Sequence, residues 1–245
     1  MDQKSRLDDH LKQLSLPYIR QHYEDEINNA VKNKLGYRDF LMRVAENEIM
    51  AKKERSINRR LKTCGIPQIK RIEEFDFSFQ PQLDDKLIRE LANLSFIDEA
   101  KNILLLGPPG VGKTHLAIAM AVRACQQQRR VLFHTCETLV DQLAESDITG
   151  QLNKFFSLLA KIDLLIIDEL GYFELSKKTA TMFLKVIASR YEKKPTIITS
   201  NKSFDQWGAI FQDDVVASAI LDRLLHHNYT FIIQGNSYRM KDIKK

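Results

Sequence analysis

The sequence predicts an α/β fold, a parallel five-stranded sheet with helices on both faces, preceded by a small helical domain. Three observations carry this. An apolar run at residues 103–106 breaks into Gly107, Pro108, Pro109, Gly110, Val111, Gly112, Lys113 and Thr114, after which Leu116, Ala117, Met120 and Ala121 recur at helical spacing. Four more short apolar runs, at 131–135, 164–167, 195–199 and 229–233, are separated by helical stretches, the pattern of strands joined by crossover helices. Residues 3–63 contain no such run and keep a helical period throughout.

In the N-terminal part, Leu7, Leu11 and Leu14, then Ile19, Tyr23 and Ile27, mark two helices separated at Pro17, with Gly36 closing the second. A longer helix is expected from Tyr37, burying Phe40, Leu41, Val44 and Ile49. It carries Arg43, Lys52, Lys53, Arg55, Arg59, Arg60 and Lys62 before Gly65 and Pro67 stop it. The chain has 37 basic and 32 acidic residues, and the first 70 residues hold 15 and 10 of them, so the whole surplus of +5 lies there. That bias suggests a polyanion partner, DNA being the candidate, and Arg43, Lys52, Lys53, Arg55, Arg59 and Arg60 are the candidate contacts; a solvated helix face is the alternative. The expected division is 1–66, a partner- or DNA-binding helical domain, and 67–245, a nucleotide-binding domain. The joint contains Glu74, Phe75, Asp76 and Phe77, aromatic enough to pack over an adenine or to anchor the core.

A single helix is expected over 81–100, then the first strand and the glycine-rich loop. A loop of this kind before a helix turns backbone N–H groups and the positive end of the helix toward a phosphate. Lys113 adds a point charge at the β- and γ-phosphates and the Thr114 hydroxyl a ligand for Mg²⁺. The nucleotide-binding set runs from Gly107 through His115 and includes Asp168 and Arg239. The run at 164–167 ends in Asp168 and Glu169, which places two carboxylates at the strand edge where the loop sits. There Asp168 would hold Mg²⁺ with Thr114, and Glu169 would polarise the water that attacks the γ-phosphate, although an Asp-Glu pair also suits a helix N-cap. Asn201 ends the strand beginning at Pro195, in position to bond the phosphate or the water, or to form a turn. A helix inserted between the second strand and Asp168, and a polar strand end at Asn201, indicate an additional-strand P-loop ATPase using ATP and Mg²⁺.

Arg223, on a helix at 213–227 away from its own loop, is the candidate cation donated to a neighbouring subunit, with a surface ion pair as the alternative. Arg239 could sense the γ-phosphate within the same subunit. His226 and His227 are adjacent, so a continuous helix would point them apart and make them a poor metal pair. Cys64, Cys125 and Cys136 are scattered, which fits reduced thiols and gives no zinc framework. No run reaches the roughly 18 to 20 apolar residues that span a bilayer, and the first 20 residues hold no signal-peptide core; a cytoplasmic protein without a membrane partner is expected.

GPPGVGKTHLA, LLIIDELGYF, RYEKKPTIITSN, SFDQWGAIF, AILDRLLHH and GNSYRMK together resemble the IstB-type helper ATPases of insertion-sequence transposition. These are relatives of the DnaC helicase loaders in the initiator branch of the AAA+ ATPases. The resemblance implies an ATP-bound homo-oligomer on duplex DNA that partners a transposase, selects target DNA and stimulates insertion. It also implies Arg223 as an arginine finger acting in trans, Asn201 as the first sensor, and a DNA-facing wedge around 149–156 with Lys154. The chain ends at Lys245, which leaves no room for a full helical lid after Arg239 and puts its sensor role in question. A replicative helicase loader, or a nucleotide-dependent switch with incidental hydrolysis, would share the same site.

Overall fold

The computed structural model describes residues 3–240. The expected strands form at β1 (Asn102–Leu106), β2 (Val131–Thr135), β3 (Leu164–Leu170), β4 (Thr196–Ser200) and β5 (Asn228–Ile232). They make one sheet in the order β2-β3-β4-β1-β5, every neighbouring pair parallel. Parallel strands need crossovers, and the crossovers cover both faces, so the inner strands β1, β3 and β4 are largely buried on both sides. Ile103 and Leu105 enter one buried cluster with Leu116, Met120, Ile166 and Ile197. Leu104 enters the other with Leu165, Ile167, Ile198, Phe183 and Trp207. With β4 between β1 and β3, the strand carrying the phosphate loop and the strand carrying Asp168 end on the same edge, and the end of β4 lies between them.

The helices are α1 (Gln3–Gln13), α2 (Pro17–Lys32), α3 (Tyr37–Thr63), α4 (Asp85–Leu91), α5 (Ser95–Asp98), α6 (Lys113–Gln126), α7 (Cys136–Ile148), α8 (Leu152–Lys161), α9 (Lys177–Arg190), α10 (Trp207–Phe211) and α11 (Asp214–Leu225). Side-chain caps start several of them: Thr135 for α7, Ser176 for α9 and Asp213 for α11 each accept from an N–H of the first turn.

Two expectations are corrected. The single helix over 81–100 is two short ones, capped at Asp84 and broken at Leu94, which has φ 69°. The break lets Leu91, Leu94, Phe96 and Ile97 all bury in the same cluster, which one straight helix would spread around its circumference. On α3, Val44 is buried but Leu41 and Ile49 are each 66% exposed. The interior position goes to Glu48, whose carboxylate accepts the Ile19 N–H at 3.0 Å in the first turn of α2 and Arg55 at 2.8 Å. Glu26 is likewise buried, accepting from Tyr18 at 3.0 Å and Asn47 at 2.9 Å, with Arg43 forming an ion pair at 3.1 Å. This small helical unit is held by buried carboxylates as much as by apolar contact. Residues after 240, on which the lid expectation bears, lie outside the described residues.

By its contacts the chain divides inside α3, up to Arg59 and from Arg60 onward, whereas composition marks the joint at Gly65 and Pro67. Cys64 is buried in the core of the second unit, and its carbonyl accepts the Phe133 N–H at 2.7 Å on β2. Residues 60–66 are therefore fastened to the sheet.

Arg190, at the end of α9, is 1% exposed. Its guanidinium donates to the carbonyls of Leu159 (2.6 Å), Ile162 (2.9 Å) and Pro195 (2.7 Å) and to the Thr196 hydroxyl (3.2 Å), tying α8, α9 and β4 together. Arg190→Met is expected to cost about 3–5 kcal/mol, because three buried carbonyls lose their donor. Urea unfolding measures this, and a loss below about 1 kcal/mol would refute the bracing role.

Candidate functional site

The phosphate loop leaves β1 after Leu106, and its base is pinned on both sides. Gly107 N–H donates to the Ser200 carbonyl at 3.1 Å, and Ile233 N–H donates to the Leu106 carbonyl at 2.8 Å. Gly110 (φ 81°) and Gly112 (φ 102°) hold conformations that L side chains rarely adopt. A Cβ on Gly110 would lie 2.0 Å from Ser237 Oγ, and one on Gly112 2.5 Å from the Phe75 ring, so neither position tolerates a side chain. Gly112 then caps α6, whose first residue is Lys113. Loop and helix open into a cleft of about 580 Å³ lined by Pro109 through His115, Glu169, Thr199, Asn201, Arg239 and the aromatic residues Phe75, Phe79 and Tyr238.

Lys113 is 7% exposed and folds back on the loop, donating from Nζ to the carbonyls of Gly107 (2.7 Å) and Pro108 (2.8 Å). Burial lowers its pKa; Asp168 and Glu169 oppose the shift, and Arg239 adds to it. Asp168, 3% exposed, accepts at Oδ1 from Thr114 Oγ1 (3.0 Å) and from Thr199 Oγ1 (2.5 Å). Thr199 Oγ1 accepts the Glu169 N–H at 2.9 Å. Burial raises the Asp168 pKa, against the bonds from Thr199 and Thr114 and the charge of Lys113. A carboxylate oxygen 3.0 Å from a threonine hydroxyl, both hard donors, fits an octahedral cation with ligands at about 2.1 Å, so Thr114 and Asp168 suit Mg²⁺.

Asp168 and Glu169 do not cap a helix, since β3 continues to Leu170. The ladder to β4 is irregular between Ile167 and Leu170, and Glu169 has φ 64°. At this distortion Asp168 enters the buried network and Glu169 is left exposed on the cleft wall. Asn201 follows the end of β4; its buried Oδ1 has no partner among the described residues. Arg239 is exposed on the cleft wall, in a 3-10 turn held to the loop by the Tyr238 N–H to the Gly110 carbonyl at 2.9 Å.

The remaining candidates lie elsewhere. Arg223 is half-buried on α11 with Nη1 donating to Ala219 of its own helix at 2.7 Å, and it does not line the cleft. His115 Nε2 bonds the Arg71 carbonyl at 2.9 Å and meets the Phe75 ring edge-on, so it also anchors the joint segment. In that segment Phe75 lines the cleft, while Phe77 packs on the core under Arg89, at 4.9 Å. Arg43 and Arg55 are engaged by Glu26 and Glu48, an occupation not legible from charge counting. Lys52, Lys53 and Arg59 are exposed on α3 and Lys154 on α8, while Arg60 reaches the Arg129 carbonyl at 3.4 Å. His226 and His227 do not point apart. The helix ends at Leu225, so their rings come within 4.1 Å and both turn toward Glu192 Oε1, at 3.3 and 3.7 Å. Thr199 and Gln80 were not signalled as site residues; a polar residue near the end of an apolar strand was the only available hint for Thr199.

A parallel sheet with an extra strand between the loop strand and the acidic strand, and a Lys-Thr loop facing Asp-Glu, define a P-loop ATPase of the AAA+ class. The chain belongs to the family of IstB-like ATP binding proteins, whose sequence profile matches residues 9–245. It is similar to the protein assigned as the ATP-binding protein of insertion sequence IS21 in Pseudomonas aeruginosa (43% identity, covering 96% of this chain and 89% of the relative). It is also similar to the counterpart of insertion sequence IS5376 in Geobacillus stearothermophilus (44%, covering 98% and 95%). Among solved structures, the DnaC helicase loader aligns with a TM-score of 0.53 at 25% identity, over 66% of this chain and 96% of that one. AMPPCP-bound DnaA from Aquifex aeolicus shares the fold, with a TM-score of 0.58 at 22% identity over 73% of this chain, which spans about half (54%) of that chain. Among the described residues no helix is long and apolar enough to cross a membrane.

Proposed function

We propose that this protein is an ATP-dependent transposition helper that assembles on duplex DNA as a homo-oligomer and recruits or stimulates the transposase of its element. The observation that carries the reading is the Thr114–Asp168–Thr199 network beside Lys113 and Glu169, in a chain matched to insertion-sequence relatives over nearly its full length. Lys113 releases the loop carbonyls and turns its charge to the β- and γ-phosphates, and the loop N–H groups and the α6 N-terminus hold the anion. Mg²⁺ on Thr114 and Asp168 would neutralise charge building on the phosphate oxygens. Glu169 accepts a proton from the attacking water, and Asn201 bonds that water or the γ-phosphate. Phosphate and ADP are the products. Arg223 from the adjacent subunit completes the charge clamp, and this makes assembly conditional on ATP. Arg239 reports the γ-phosphate from the same subunit.

We assign the DNA backbone to Lys52, Lys53 and Lys154, exposed on their helices, rather than to Arg43 and Arg55, which pair with Glu26 and Glu48. Binding should then be tolerant of sequence and fall steeply with salt. The likeness to the DnaC loader supports a second reading, a helicase loader preferring single strands, and one experiment separates them. ATP hydrolysis and sedimentation are followed with duplex and with single-stranded DNA at about 50 and 200 mM salt. ATP-dependent assembly favouring duplex, weakened at least tenfold by the higher salt, is expected. A preference for single strands, with capture of a replicative helicase and not of the transposase, would overturn the helper reading.

A further inference from the structure

Gln80 follows the short 3-10 turn Phe77–Phe79 and lines the cleft. Its backbone is fully used: the N–H donates to the Phe77 carbonyl at 3.1 Å and the carbonyl accepts from Leu83 at 3.0 Å. Its side chain is not. The residue is 3% exposed, and both Oε1 and Nε2 are buried without a hydrogen-bond partner among the described residues. Leaving a buried amide unpaired at both ends is costly, and native folds seldom retain such a group without a reason.

The lining of the cleft says what the partner is. The same cleft is lined by Phe75, Ile118 and the edge-on pair Phe79 and Tyr238, apolar surfaces suited to a planar base. Gly235 closes over the amide: a Cβ there would lie 2.7 Å from Gln80 Oε1, so only glycine permits this approach. Gly235 lies three residues before Tyr238, whose N–H bonds the Gly110 carbonyl of the phosphate loop at 2.9 Å.

We propose that Gln80 is the residue that reads the nucleotide base. As the base enters and the Gly235 stretch yields, Oε1 accepts from the adenine N6 amine and Nε2 donates to the neighbouring ring nitrogen, the paired donor and acceptor that a glutamine amide matches. This rests on the reading of the cleft as an ATP site and adds the determinant of its base selectivity. The chain itself offers this buried amide no partner among the described residues, so pairing with a base would favour the bound state.

The test measures binding of ATP, GTP, purine riboside 5′-triphosphate, which lacks the N6 amine, and inorganic tripolyphosphate to the full-length chain with Mg²⁺. Wild type, Gln80→Ala and Gln80→Met are compared, and the thermal midpoint of each is recorded. Wild type is expected to prefer ATP over GTP and over purine riboside triphosphate by about tenfold, the loss typical of one hydrogen-bonded pair. Both variants should reduce these preferences to within about twofold while tripolyphosphate binds alike to all three. The near-isosteric methionine guards against a cavity effect in the alanine variant. The proposal is overturned if wild type shows no preference for the amine, if the variants keep it, or if they lose ATP and tripolyphosphate equally. Failure of the ATP-site reading looks different: ATP binding to wild type would then be unaffected by Lys113→Ala.

Discussion

Glu169→Gln is expected to slow ATP hydrolysis by about 10² to 10⁴-fold while ATP binding stays within a few-fold of wild type. The substitution preserves volume and removes only the proton acceptor. Glu169 is exposed on the cleft wall, its backbone N–H is held by Thr199, and among the described residues its side chain makes no hydrogen bond that the amide would disturb. The two carboxylates are unequal in this respect. Asp168 is buried and accepts two hydroxyl bonds, which suits an electrostatic and metal-holding role, whereas Glu169 faces the space where water can stand. Phosphate release at saturating ATP, alongside an equilibrium binding curve, gives both quantities. A hydrolysis rate within fivefold of wild type would eliminate Glu169 as the base. If assembly and stimulation of the transposase persisted without hydrolysis, the protein would act as a switch and turnover would serve only for release.

Arg223→Ala is the second large effect. Loss of an arginine finger typically lowers turnover by about 10³ to 10⁵-fold. Here the loss should appear only in the assembled state, because Arg223 does not line the cleft of its own subunit and bonds its own helix at Ala219. ATP affinity of the isolated subunit should be unchanged. Mixing supplies the sharper readout. An Arg223→Ala subunit retains the loop, and a Lys113→Ala subunit retains the finger, so combining two inactive proteins should restore part of the activity at their shared junctions. Absence of rescue, or an Arg223→Ala protein that keeps both hydrolysis and ATP-dependent assembly on DNA, would remove Arg223 from the site.

The sheet and the phosphate loop were legible because both are written locally. Five apolar runs between helical stretches leave few arrangements for parallel strands, and Gly110, Gly112, Lys113 and Thr114 form a contiguous device whose chemistry depends on spacing alone. Asp168 and Glu169 were legible for the same reason, as the end of a run buried on both faces.

What spacing could not express is how residues distant along the chain compete for one another. Arg43 and Arg55 looked like free cations until α1 to α3 folded around Glu26 and Glu48, since burying a carboxylate requires donors brought in from elsewhere. The His226 and His227 pair depended on where α11 stops. Thr199 became part of the site only because β4 lies beside β3, which brings its hydroxyl to Asp168 across 31 positions of sequence. Gln80 belongs to no motif, and what singles it out is burial beside Gly235 with no side-chain partner among the described residues. Local spacing and periodicity thus determine the fold class and the phosphate-binding chemistry. The satisfaction of buried polar groups, a property of the packed chain, decides which side chains complete the site and which are spent on holding the protein together.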